Sequence, residues 1–452
     1  MAFASLGAAT GKTSTQIKKI VREEAPKLAE RIYAQIKRER LILVLSGGAP
    51  HSPMMAGALC AMYERVGPKL NGGKGRFDAI YTSGGGALVG LLLVAPKGGD
   101  APRALRNMIK MGIADPIYKV LPIAYKTFVK PGPLVPLFQE WGELFKRSTS
   151  HLHFFRATVT AALKLWGGPA LAGQPASCPW GPDDPDRRLF DDWVDLVFGA
   201  LAPTTLTPWS PGLCEIAPFL EDLVDFRALK KYKGQFYLNA FNLSKGFEER
   251  FTREEIDATH VRAALAYPFI YPPGKIRDTF YSEGASHDPL LMPQGRDPRF
   301  PEGIEDSLSS MWFDAMEKVF TQHLKRKEKL TPRGSIVCVD ILGGLGKSVL
   351  RKPRDLWDAY GLSMIAPIVE LAQKDRARFR EVDNQKLFLG WYNQIEMPFD
   401  FESAGPRVLD WSYSNMCKMW DLGYAAGVKL CDTHWDDLCM TMPKAAARRR
   451  AS

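Results

Sequence analysis

Two apolar runs, each ending in a glycine cluster and followed by a helical pattern, constrain this chain more than any other feature. Leu41-Ile42-Leu43-Val44-Leu45 is continuously apolar and ends in Ser46-Gly47-Gly48-Ala49-Pro50; a helical segment follows from Pro53 to Val66. Phe77-Asp78-Ala79-Ile80-Tyr81-Thr82 ends in Ser83-Gly84-Gly85-Gly86, and a second apolar helix-like run continues from Ala87 to Val94. Unbroken apolar runs of this length are what strands covered on both faces require. The two corners are about 35 residues apart, the length of one βαβ unit. A right-handed crossover then places both corners at the same edge of a parallel sheet.

Such corners have two readings. At the first, glycines between strand and helix leave backbone N–H groups free to converge on a phosphate or an oxyanion. At the second, Ser83 is either a helix cap in a tight turn or a nucleophile. The same turn pushes its hydroxyl outward, at a helix terminus that favours developing negative charge.

A third element is placed two hundred residues later. Thr279-Phe280-Tyr281-Ser282 reads as a strand, and Glu283-Gly284-Ala285-Ser286-His287-Asp288-Pro289-Leu290 reads as a turn carrying two carboxylates. Arg262 to Pro273, before it, reads as a helix stopping at prolines. In this order the three elements, spanning residues 41 to 293, resemble the patatin-like phospholipases. That family has a G-G-G-x-[RK]-G oxyanion loop, a G-x-S-x-G elbow and a D-G-[GA] acid. The resemblance implies a three-layer α/β/α sandwich with a mostly parallel central sheet, and hydrolysis of lipid acyl esters by a Ser–acid dyad without histidine. Carried onto this chain, it implies Ser83 as nucleophile, Glu283 as base, and the N–H groups of Gly47, Gly48 and Ala49 as the oxyanion hole. It implies no metal and no organic cofactor.

The motifs depart from the family pattern at named positions. Ala49 replaces the third loop glycine, His51 stands at the basic position and Ser52 at the last glycine. Tyr81 replaces the first elbow glycine, and the acid is Glu283 instead of an aspartate. Asp288, His287 and His51 are secondary candidates for the site. Asp288 precedes a proline that favours an extended or turn conformation, and His287 reads as a surface turn residue ahead of a site residue. These departures keep open a non-catalytic lipid- or protein-binding module, and a hydrolase of another hydrophobic ester such as a storage polyester or thioester.

Charge is concentrated at the ends. The net charge is +10, of which residues 1–40 carry +5 and Lys444, Arg448, Arg449 and Arg450 carry +4. Such ends are either solvated tails or contacts for an anionic membrane, and no nucleic-acid partner is expected. The seven cysteines show no C-x-x-C spacing and fit a reducing compartment. With no signal-like or membrane-spanning apolar run, the expected location is cytoplasmic, either free or peripheral at the inner membrane face. Residues 1–40 read as a basic helical arm broken at Pro26, 41–330 as the hydrolase domain, and 331–452 as a C-terminal extension packed on it. Within the domain, residues 115–215 hold 13 of 33 prolines and five of 11 tryptophans. They form a helical insertion that serves either as a lid or as a subdomain packed by its own aromatics. Strands are expected at 235–243, 247–252, 335–341 and near 387–391, and helices at 353–379 and 412–430. The glycine cluster at 343–348 lacks the first glycine of a phosphate loop and supports no nucleotide site.

Overall fold

In the computed structural model, β1 (Leu41–Leu45) is buried along its whole length and pairs in parallel on both edges. The structure describes residues 34, 38–48, 51–120, 126–127, 185–201, 214–268, 270–293, 334–342, 356–381, 384, 391–400 and 410–440. The readings made for the N-terminal arm up to residue 33, for the insertion over 128–184, and for Ala49, the 343–348 glycines and the basic C-terminus lie outside these residues.

The strands are β1, β2 (Ala79–Thr82), β3 (Gln235–Asn242), β4 (Phe247–Thr252), β5 (Gly274–Ile276), β6 (Thr279–Glu283), β7 (Gly334–Val339) and β8 (Tyr392–Glu396). They form one mixed sheet in the order β5-β6-β3-β2-β1-β7-β8, with β4 on β3. The pairs β3–β2, β2–β1, β1–β7 and β7–β8 are parallel; β4, β5 and β6 join by antiparallel pairs. Alternate residues of β1 serve two separate cores. Leu41, Leu43 and Leu45 belong to the core shared with α1 (Ser52–Val66), α2 (Gly85–Val94), α4 (Ala258–Ala264) and α6 (Tyr413–Thr433). Ile42 and Val44 face Leu290, Leu291, Met292 and α5 (Leu356–Arg378). Helices on both faces of a sheet make the three-layer α/β fold expected, with the apolar run explained by burial on both sides. The described parts of the insertion include α3 (Pro185–Leu201), whose Asp192 carboxylate accepts the Ala114 N–H at 2.6 Å.

One boundary differs from expectation. The helix before the third motif is α4, which ends at Ala264, before Pro268; Gly274–Ile276 is a short strand instead. Proline lacks the N–H that a continuing helix needs, and it restricts the residue before it. Among the described residues the last strand is Tyr392–Glu396; of the expected 387–391, only Trp391 is described.

α1 and α6 lie backbone to backbone. A Cβ on Gly423 would overlap the Met54 carbonyl oxygen, and one on Gly57 the Trp420 carbonyl oxygen. Glycine at these positions sets how closely the two helices approach.

Candidate active site

Strand register brings the second and third motifs end to end. Thr82 is opposite Leu238, and Glu283 is opposite Ala240. Because β4 pairs with residues 237–242 of β3, and β2 and β6 each share β3 residues with it, β2 and β6 lie along the other edge of β3. β2 therefore ends just before Ser83 and the antiparallel β6 ends at Glu283, on either side of Asn239. No short-range sequence pattern specifies this meeting; the lengths and directions of three strands do.

The three motifs then pack on one another. Gly84 has φ +47° and ψ −126°, a conformation that L side chains rarely adopt. A Cβ there would lie 2.5 Å from Glu283 Oε1 and 2.9 Å from the Ala285 Cβ, so the acid lies against the residue directly after Ser83. A Cβ on Gly47 would meet the Ala285 Cβ at 2.5 Å, and one on Gly86 the Ser46 carbonyl oxygen at 2.5 Å. The loop between β1 and α1 is held from behind: Ser46 Oγ donates to the Gly47 carbonyl (3.0 Å) and accepts the Ile341 N–H (3.1 Å).

Ser83 is fully buried, and its Oγ donates to the Asp288 main-chain carbonyl at 2.8 Å instead of to a carboxylate. Asn239 Nδ2 donates to the same carbonyl at 3.0 Å. The Gly47 N–H donates to the Pro289 carbonyl at 3.1 Å. Among the described residues the N–H groups of Gly48 and Gly84 have no hydrogen-bond partner, so they remain free to receive negative charge. Gly84 immediately precedes α2, whose positive end adds to that field.

Burial pushes the Glu283 carboxyl up to about 8, opposed in part by the nearby Ser286 hydroxyl. A raised carboxylate is what a base needs if it is to take a serine proton near neutral pH. Asp288 is pushed well above the ordinary carboxylate range, first by burial and then by Glu248 and Asp375 beside it. It contributes its main-chain carbonyl to Ser83, while its carboxyl faces other acids. His51 is buried, and its imidazole is pushed down to about 4, so it brings no positive charge to the oxyanion loop. His287 is exposed and stacks on Phe241 with ring centroids 3.6 Å apart.

Tyr81, standing where the elbow pattern has glycine, points away from the chemistry. Its ring stacks on Tyr237 at 4.6 Å and its hydroxyl donates to Glu39 Oε2 at 2.8 Å. Glu39 is fully buried; its Oε1 also accepts from Arg38 Nη2 (2.6 Å) and Tyr237 Oη (3.2 Å). A tyrosine is accommodated at the elbow because a buried carboxylate receives its phenol.

Sequence reasoning missed Asn239 and the two loop carbonyls. An asparagine between Leu238 and Ala240 in a buried strand was the one available signal, since a polar residue there has to find a partner. Main-chain carbonyls leave no signature in a sequence.

No curated protein matches the chain. A solved structure similar to it is that of VipD from Legionella pneumophila, at 14% identity and a TM-score of 0.30, covering 88% of this chain and 67% of that one. The patatin-like phospholipase family matches residues 43–292, a span that starts within β1 and closes just after the Glu283 turn. It takes in the glycine loop, the serine corner and the acid that the strand register brings together, and on that match the chain belongs to the patatin-like phospholipase family.

Proposed function

We propose that the chain is a serine acyl-ester hydrolase acting on lipids, with Ser83 as nucleophile and Glu283 as base. The observation that carries this reading is the position of the Glu283 carboxylate against Gly84, one residue from the serine hydroxyl. In the reaction, Ser83 Oγ attacks the ester carbonyl as its proton passes to Glu283. The tetrahedral oxyanion is received by N–H groups of Gly47, Gly48 and Ala49, with Gly84 on the other side. The protonated Glu283 then gives its proton to the leaving alcohol. A water activated by the same carboxylate hydrolyses the acyl-enzyme and restores Ser83. Removing one oxyanion donor in other serine hydrolases costs roughly 2.7–4 kcal/mol, so the geometry of this loop governs the rate.

Labelling by a fluorophosphonate, mapped to a peptide by mass spectrometry, tests the assignment. Labelling on Ser83 in the native protein, and none in Ser83→Ala, supports it. Labelling of the native protein at another serine refutes it and moves the chemistry to that serine; no labelling at all refutes it and leaves a lipid- or protein-binding module.

The substrate is presented by a lipid surface in this reading. No helix among the described residues is long and apolar enough to cross a membrane. The basic termini supply attraction to anionic lipid that salt screens over about 8–10 Å. Replacing Lys444, Arg448, Arg449 and Arg450 by serine is expected to lower salt-sensitive binding to phosphatidylserine vesicles. Unchanged binding would move the contact to another surface.

A further inference from the structure

Two consecutive main-chain carbonyls, Asp288 and Pro289, occupy the two groups on which the reaction depends. The Ser83 hydroxyl has one proton, and it is donated to Asp288 O at 2.8 Å. The Gly47 amide has one proton, and it is donated to Pro289 O at 3.1 Å. Neither is available to an ester while these bonds last, and Ser83 has no exposed surface. From these contacts we propose that the Asp288–Pro289 segment is a peptide plug in the acyl site, and that Asn239 is the positioning residue that holds it shut. The proposal rests on the roles given above to Ser83 and Gly47.

Three braces fix the plug. Asn239 Nδ2 donates to the Asp288 carbonyl at 3.0 Å, while its Oδ1 packs against Gly284 at the start of the same turn. The His287 and Asp288 N–H groups both donate to the Gly284 carbonyl at 2.9 Å, which closes the turn on itself. His287, at the outer edge, stacks on Phe241, which is two residues from Asn239 on the same face of β3. Beyond the plug, Leu290, Leu291 and Met292 are buried in the second core and act as a fixed anchor. Pro289 has no N–H to tie to a neighbour. The plug is therefore held by bonds to its carbonyls, by the Asp288 N–H bond to Gly284 and by the Phe241 stack. Outward rotation of the segment about its anchored end frees the Ser83 proton for Glu283 and the Gly47 N–H for the oxyanion in one movement.

The test uses the full chain and two variants that loosen different braces, Asn239→Ala and Phe241→Ala. Phe241 is half-buried and meets the turn through its stack on His287, so it guards against a misfolded Asn239 variant. Fluorophosphonate labelling rates are measured from pH 6 to 9, with hydrogen exchange of the peptides covering 41–48 and 284–293. Losing one neutral hydrogen bond that holds the closed form should speed opening, and hence labelling, roughly three- to tenfold. Faster exchange of both peptides should accompany it, and the pH midpoint should not move, because Glu283 is unchanged. A slower rate or a displaced midpoint would mean that the turn positions the acid instead of blocking the serine, and would overturn the plug. Unchanged labelling together with unchanged exchange would overturn it as well. Faster exchange of both peptides with no labelling of Ser83 in any form would keep the plug and discard the hydrolase reading.

Discussion

Replacing Glu283 by glutamine should separate activity from stability in opposite directions as pH rises. Burial lifts this carboxyl from an ordinary 4.5 to about 8. The folded protein thus holds a proton that the unfolded chain gives up. The stability associated with that proton is complete below pH 4.5 and is lost as pH rises through 8. At about 1.36 kcal/mol per pH unit, the full rise of about 3.5 corresponds to a loss of up to ~5 kcal/mol by pH 9 or above. Catalysis runs the other way, because only the ionised form accepts the serine proton. For a group titrating at about 8, roughly a tenth is ionised at pH 7 and nine tenths at pH 9, so kcat/KM should rise nearly tenfold over that interval. Glu283→Gln keeps the shape, cannot take the proton and cannot ionise. It should be almost inactive at every pH, yet gain stability relative to the native protein as pH is raised from 5 to 9. Urea unfolding at pH 5, 7 and 9, with initial rates on a p-nitrophenyl ester from pH 6 to 9, gives both quantities. A native rate that is flat across that range, or a variant that gains no relative stability at pH 9, would falsify the assignment of Glu283 as the buried base.

Other substitutions test neighbouring contacts. Asp288→Asn should retain most activity, because Ser83 touches the main chain of residue 288 and not its carboxyl; a dead variant would transfer the base role to Asp288. Gly84→Ala should lose about 10²-fold in rate, as displacements near 1 Å can. It also adds strain of about 1–3 kcal/mol from a φ of +47°, and a fully active, equally stable variant would refute the contact with Glu283. Gly423→Ala should destabilise the fold by about 1–3 kcal/mol through overlap with the Met54 carbonyl in the α1–α6 seam, read by urea unfolding at constant activity per folded molecule. An unchanged midpoint would mean that the two helices are less closely apposed.

Much of this arrangement was legible before any coordinates. The five-residue run at 41–45 is typical of a strand buried on both faces, and the glycine turns beside it and after Thr82 located both corners. Glu283 was legible from the glycine that follows it at a strand end. What stayed hidden involves main-chain groups and long-range register. The carbonyls of Asp288 and Pro289 could have belonged to any residue types. The partnership of Tyr81 with Glu39 joins positions 42 apart, so Tyr81 looked like an interruption of a motif when it was one half of a buried pair. The prolines at 268, 272 and 273 were visible, but an alanine-rich segment still suggested helix up to them, where the chain had already turned toward β5.

The pairing of β1 on both edges has a consequence for biosynthesis. β2 follows within the next forty residues, but β7 pairs with β1 across a separation of about 290 residues. At translation rates of about 5–20 residues per second, roughly 15–60 s pass between the emergence of the two strands. Throughout that interval the nascent chain presents the open edge of Leu41–Leu45, apolar and uncharged, to other chains on the same messenger. Yield should therefore depend on temperature, synthesis rate and chaperone supply during production more than on the stability of the finished protein. Fragments ending at residue 292 should accumulate in inclusion bodies, although they contain the whole family-matched region.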